Sequence, residues 1–274
     1  MINDILWPVI ALGSLGLVLG LGLGIAAKVF AVKVDPKVEQ IRELLPGANC
    51  GGCGFPGCDG FAKALAEGAA KPSACVVVSA GNLEAIAGVL GVNAEAGVKK
   101  VARVLCRGDS KNVTPKYNYN GIPDCRAAAM LADGPSSCRY GCLGQLTCAS
   151  ACPFGAIHRS ENGLAEIDES ICTGCGNCVA ICPKSSIALV PKDQIVFVRC
   201  HAHEKGKAVS ENCKAGCIAC GLCVKKCPEH AITMVDNIPV IDYDKCTHCG
   251  TCAAVCPKGV IAGKPEQKAE TVNG

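Results

Sequence analysis

Large aromatic rings are scarce in this chain. They make up 4% of its 274 residues, and tryptophan occurs once, so ring packing contributes little to any core. Charge is also close to balance, at +3 overall. With no basic run and no interleaved aromatics, nothing in the chain suits nucleic acid. The soluble part has no nucleotide loop, no flavin signature, and no Ser/His/Asp or paired-carboxylate arrangement for acid–base or nucleophilic work. No catalytic residue is therefore expected.

Cysteine is what the chain has in excess: 24 residues, beside 32 glycines. Such density signals disulfides in a small secreted domain, and metal or redox centres in a reducing compartment. The compartment follows from the first segment. Ile5 to Ala27 reads ILWPVIALGSLGLVLGLGLGIAA, without a charge and long enough to cross a bilayer as one helix. A signal peptide would show a positive n-region and a small-residue cleavage site, and neither is present. Lys28, Lys33, Lys37 and Arg42 follow the span, against Asp4 before it. The positive-inside rule places the N-terminus outside and the thiol-rich remainder in the reducing cytoplasm. Gly22, Gly24 and Ala27 match a dinucleotide fingerprint but lack its strand–helix context. Gly16, Gly20 and Gly24 form a small-residue stripe of the kind that packs against another membrane helix.

The second half of the chain repeats. Cys172, Cys175, Cys178 and Cys182 follow a C-x2-C-x2-C-x3-C-P pattern, as do Cys217, Cys220, Cys223 and Cys227, and Cys246, Cys249, Cys252 and Cys256. A looser copy, Cys138-x3-Cys142-x5-Cys148-x3-Cys152-Pro, precedes them. Each Cys-Pro opens a similar phrase that brings Ile157, Ile187, Ile232 and Ile261 into register on the expected apolar shell. Ile167-Asp168 and Ile241-Asp242 introduce two of the runs. This spacing wraps three thiolates around one iron–sulfur cubane and sends the fourth to a neighbouring cluster. Structural zinc ordinarily uses two separated C-x2-C pairs without the Cys-Pro partner.

Crossed ligation predicts four 4Fe–4S clusters. Cys138, Cys142, Cys148 and Cys182 hold one, and Cys172, Cys175, Cys178 and Cys152 hold its partner. In the second pair, Cys217, Cys220, Cys223 and Cys256 face Cys246, Cys249, Cys252 and Cys227. The stretch NCGGCGFPGC with its return at Cys75 gives a fifth set, Cys50, Cys53, Cys58 and Cys75. Its glycines allow close approach of backbone to sulfur, Phe55 and Pro56 shield it, and a helix from Asp59 braces it. Cys106, Cys125, Cys200 and Cys213 remain. Their number suits one more cubane, VARVLC and IVFVRC suggest paired strands, and Arg107 and Arg199 offset charge. The expectation is a sixth cluster at these four, with ordinary buried thiols as the alternative. His248 within the last loop reads as a pH-sensitive tuner or a solvated side chain, and His201, His203 and His230 as surface residues. Lys225 and Lys226 read as a solvated face or as a contact for an acidic ferredoxin.

The membrane helix, the Cys50/Cys53/Cys58/Cys75 module and the ferredoxin-like repeats, in that order, resemble the B-type subunit of the Rnf complex over nearly the whole chain. The resemblance implies an electron-carrying component of an ion-translocating oxidoreductase that links ferredoxin and NAD+. It also implies other membrane and peripheral subunits and soluble ferredoxin as partners, with flavin, nicotinamide and ion-conducting sites largely on other chains. The second repeat pair is similar to the longer, anaerobe type. A polyferredoxin component of a hydrogenase or formate complex is the nearest competitor, and a self-contained reductase a more distant one. The expected fold is α+β: a transmembrane anchor (1–30), a 4Fe–4S module (31–80), a connecting region (81–135), two ferredoxin-like domains (136–192 and 193–262) and a tail (263–274).

Overall fold

The computed structural model describes residues 2–30, 35–93 and 97–263; the tail from 264 onward lies outside them. The uncharged run forms α1, Ile2–Val29. Its Val9–Val29 stretch has a mean hydropathy of 2.3 and no part of that stretch is buried, so one helix long and apolar enough to cross a membrane stands apart from the core. Nothing lies within 4 Å of where a Cβ at Gly16, Gly20 or Gly24 would stand.

Three helices and a 3-10 turn build the next module. Asp35 caps α2 (Pro36–Leu44) by accepting from the Lys37 N–H, with Pro36 at the first helical position. The second helix, α3 (Gly57–Ala66), begins two residues before the expected start and so carries Cys58 in its first turn. Ser79 caps α4 (Ala80–Leu90), which ends on left-handed Gly91. Ile41, Leu45, Phe61, Leu65 and Ile86 form the core between them, and Cys53, Phe55 and Cys75 pack against it. Phe55 lies 5.5 Å from the Phe61 ring.

Two folds of the same plan follow. The first contains β1 (Lys100–Val104), α5 (Cys125–Met130), α6 (Thr147–Ser150), β2 (Ile157–Arg159), β3 (Ala165–Ile167), α7 (Asn177–Ile181) and β4 (Ile187–Pro191). The second contains β5 (Phe197–Val198), α8 (Gly206–Asn212), α9 (Leu222–Lys225), β6 (Ile232–Val235), β7 (Ile238–Ile241), α10 (Thr251–Ala254) and β8 (Ile261–Ala262). In each, the outer strands pair antiparallel, β1 with β4 and β5 with β8, and the inner two form a hairpin. Ile157 faces Ile167 across the first hairpin, and Ile232 faces Ile241 across the second. All four repeat isoleucines are buried as the pattern requires.

The first fold therefore starts at Lys100, within the stretch that spacing assigns to a connector. The partner of β1, Val101 opposite Val190, lies far along the chain, and no local pattern announces such a pairing. Residues 105–141 form an excursion between β1 and the first cysteine loop, and 199–216 a shorter one after β5. Buried Arg103 joins the folds. Its guanidinium makes a bidentate pair with Glu169, both contacts at 2.9 Å, donates to the Gln194 carbonyl, and stacks 4.4 Å from the Phe197 ring centre.

Candidate iron–sulfur sites

Each cysteine loop follows one backbone path. In the three regular loops, the second and fourth residues after the first cysteine are left-handed. These are Gly174 and Gly176 (φ 73° and 84°), Ala219 and Gly221 (55° and 70°), and His248 and Gly250 (61° and 74°). Alternating handedness turns N–H groups toward one concave side, which suits a sulfide-rich anionic core. His248 thus occupies a position set by its backbone, equivalent to a glycine and an alanine. Three residues after each Cys of the Cys-Pro pairs the path is left-handed again, at Gly155, Ser185, His230 and Gly259. The two Ile-Asp lead-ins also act alike: the Asp168 and Asp242 carbonyls accept from the N–H groups of Cys172 and Cys246 at 2.9 and 3.1 Å.

The loose copy obeys the same rule. Counting from Cys142, the second and fourth residues are Gly144 (φ 67°) and Leu146 (φ 61°). Holding Leu146 there costs roughly 1–2 kcal/mol. Cys142 and Cys148 therefore stand where Cys172 and Cys178 stand, and nothing is inserted. Gln145 occupies the place of the middle cysteine. The left-handed positions count from Cys142, not from the Cys138 that spacing places first.

The cysteines gather accordingly. Cys125, Cys142, Cys148 and Cys182 line one cavity. Cys217, Cys220, Cys223 and Cys256 line a second, and Cys227, Cys246, Cys249 and Cys252 a third. Cys106, Cys138, Cys200 and Cys213 line a fourth. These four spaces are alike in size and in being lined by four cysteines each. Cys172, Cys175, Cys178 and Cys152 lie near enough for each neighbour's charge to disfavour ionisation of Cys178. Cys50 and Cys53 act on Cys75 in the same way, and Cys53, Cys58 and Cys75 share one apolar cluster. Relative to the spacing-based sets, Cys125 and Cys138 exchange places. Cys125 heads α5, and its N–H donates to the buried Thr147 hydroxyl at 2.6 Å, fixing it over the loop that lacks a middle thiol. The expected pairing of the Cys106 and Cys200 strands does not occur, since β1 and β5 pair with β4 and β8.

Burial is the main influence on these thiols. It pushes Cys106 and Cys148 up to about 12, and Cys178, Cys217 and Cys252 up to about 11, with neighbouring cysteines adding to the rise. Free of metal they are neutral, and ligation must displace protons. Among the described residues, no three His, Cys, Asp or Glu side chains converge closely enough for one metal ion. Groups of four thiols, with no other ligand type among them, suit an iron–sulfur core. The residues present fit 4Fe–4S groups.

Three polar side chains are not legible as functional in the sequence because each acts across a distance. Asn49 accepts from the Cys58 N–H at 2.8 Å, Asn177 donates to the Cys50 carbonyl at 3.0 Å, and Thr147 anchors Cys125. A Cβ at Gly52 would stand 2.8 Å from the Cys175 carbonyl oxygen, so only glycine lets the first module meet the first ferredoxin fold this closely. Lys225, Lys226 and His230 are exposed as expected, whereas His201 and His203 are half-buried. Their rings lie 4.7 Å apart, and His203 pairs with Asp236 at 2.9 Å. Burial and His203 lower the pKa of His201.

Repeated cysteine loops on paired ferredoxin-like folds define a multi-cluster iron–sulfur electron-transfer protein. Family models agree: one for an Fe-S cluster matches residues 45–77, and models of 4Fe-4S dicluster domains match 137–186, 216–260 and 171–232. The B-type subunit of the Na(+)-translocating ferredoxin:NAD(+) oxidoreductase complex of Acetobacterium woodii is 48% identical over 99% of this chain and 81% of its own length. The B-type subunit of the ion-translocating oxidoreductase complex of Methanosarcina acetivorans is 40% identical over 86% of this chain and 89% of its own. Its counterpart in the proton-translocating ferredoxin:NAD(+) oxidoreductase complex of Clostridium ljungdahlii is 41% identical over 89% and 86%. The chain belongs to the family of B-type subunits of ion-translocating oxidoreductase (Rnf) complexes. That membership sets aside the hydrogenase and formate readings.

Proposed function

We propose that the chain takes electrons from reduced ferredoxin and relays them through 4Fe–4S clusters to other membrane and peripheral subunits of an ion-translocating ferredoxin:NAD+ oxidoreductase. The observation that carries this reading is the backbone path shared by the cysteine loops, each set against a four-cysteine group. Five groups serve as ligand sets: Cys50, Cys53, Cys58 and Cys75; Cys152, Cys172, Cys175 and Cys178; Cys125, Cys142, Cys148 and Cys182; Cys217, Cys220, Cys223 and Cys256; and Cys227, Cys246, Cys249 and Cys252. When bound, the clusters accept and release single electrons; the protein holds them, fixes their spacing and limits their contact with water. Burial of Cys58, Cys148, Cys178, Cys223 and Cys252 supports that division of labour.

The chain is held by α1 with its N-terminus outside and the cysteine-rich folds in the cytoplasm, a sidedness supported by the lysines that follow the span. Cys220 and Cys249 are the exposed cysteines. With exposed Lys225 and Lys226 five and six residues beyond Cys220, they make the second ferredoxin fold the end that meets an acidic ferredoxin. Purified chain mixed anaerobically with reduced ferredoxin will bleach as its clusters fill, and will reduce no NAD+. Steady NAD+ reduction by the isolated chain would contradict the proposal.

A further inference from the structure

A cleft lies where the two ferredoxin folds meet the excursion that follows β1. It encloses about 390 Å³, within the usual size of a small-molecule site, ~300–1,000 Å³. Its walls come from β1, the β2–β3 hairpin, residues 106–112 and the end of β5. None of the five proposed ligand sets contributes a cysteine to it.

Three arginines and three carboxylates border this cleft, and they are unequally engaged. Arg103 is spent on Glu169, the Gln194 carbonyl and the Phe197 ring. Asp109 accepts from the Lys111 and Asn112 N–H groups and from the Asn112 side-chain amide. Arg107 gives one nitrogen to the carbonyls of Lys258 and Gly259, which leaves most of its five N–H donors free. No side-chain hydrogen bond or ion pair engages Arg199 among the described residues. Glu166 pairs loosely with His158 at 3.8 Å, both of them exposed. The uncommitted charge of the cleft is therefore positive. It is also concentrated: desolvation and then the Arg107 charge lower the pKa of Arg199. Two guanidiniums so placed repel each other unless an anion lies between them.

We infer that this cleft binds the phosphate group of a small organic molecule, gripped by Arg107 from the first fold and Arg199 from the second. Two forked guanidiniums offer more donors than one carboxylate can take, and the three free oxygens of a phosphate ester match them. Asn162 at the tip of the hairpin borders the same space. Val104, Leu164 and Phe197 supply an apolar part of the lining, which suits the carbon frame of a ligand better than a bare ion. Because one guanidinium comes from each fold, an occupied cleft ties the folds together. Arg107 already holds the second fold through Lys258 and Gly259, so the ligand reinforces a junction that exists without it.

Calorimetric titration of the full-length, cluster-loaded protein in detergent, with phenyl phosphate as the probe, tests the site. One equivalent should bind per chain, roughly tenfold more tightly than inorganic phosphate, since only the ester reaches the apolar wall. Arg199→Gln should weaken binding roughly tenfold or more, through loss of charge-assisted hydrogen bonds. Glu166→Gln removes an opposing carboxylate and should strengthen it. Lys207→Gln makes the same charge change as Arg199→Gln on exposed α8, away from the cleft, and should leave binding unchanged. Absence of saturable binding, equal effects of Arg199→Gln and Lys207→Gln, or succinate binding as tightly as phenyl phosphate would overturn the inference. Should Arg199→Gln fail to fold, Glu166→Gln on the exposed hairpin still decides: tighter binding supports the site, and unchanged binding refutes it.

Discussion

Cys125 and Gln145 show how much turns on single residues. The loop from Cys142 to Cys148 keeps the left-handed positions of a regular cluster loop but holds an amide where a thiolate belongs. Cys125 enters from the preceding excursion to line the same cavity, and we propose that it completes the set. Cys125→Ala should therefore remove about four iron atoms per chain, and Gln145→Cys in the same protein should restore them, since it returns the ligand to its regular place. Iron and sulfide analysis of both variants checks this. Failure of the second change to restore iron would mean that Cys125 does not stand in for the middle ligand. The sequence shows the three regular motifs without ambiguity, because their ligands are local and evenly spaced. It groups Cys138 with this loop, whereas the structure sets Cys125 beside Cys142, Cys148 and Cys182, because a one-residue vacancy in a motif resembles an insertion until the backbone angles are known.

Among the elements, the hairpins and loops follow directly from the repeat, and α1 from its apolar length. The β1–β4 and β5–β8 pairings do not, since each strand is short and its partner lies beyond an intervening cluster loop. For that reason β1 reads as part of a connector in the sequence. The independence of α1 leads to a prediction. The helix shares no residue with any cysteine group and its span is unburied, so removing residues 2–29 should leave iron, sulfide and EPR signals intact. The truncated chain should lose its place in the membrane, where Gly16, Gly20 and Gly24 offer a face for close helix packing. Cluster analysis of the soluble product, with co-purification of membrane subunits, tests both halves. Retained assembly with those subunits would show that the anchor lies elsewhere.

At the scale of the whole molecule, two copies of one fold meet across a junction held by arginine side chains. Arg103 and Arg107 clamp the same junction from the first fold. Aromatic residues are few, and the apolar clusters of the folds are small and built around cysteine; ligation of iron is accordingly part of what holds them together. The central proposal is that the five four-cysteine sets hold 4Fe–4S clusters. Its most direct test is anaerobic quantification of iron, acid-labile sulfide and zinc in the purified full-length chain. The proposal predicts at least about 20 iron and about 20 sulfide per chain, with no stoichiometric zinc. A fully loaded protein without acid-labile sulfide, or one that binds zinc in place of one of these sets, would contradict it.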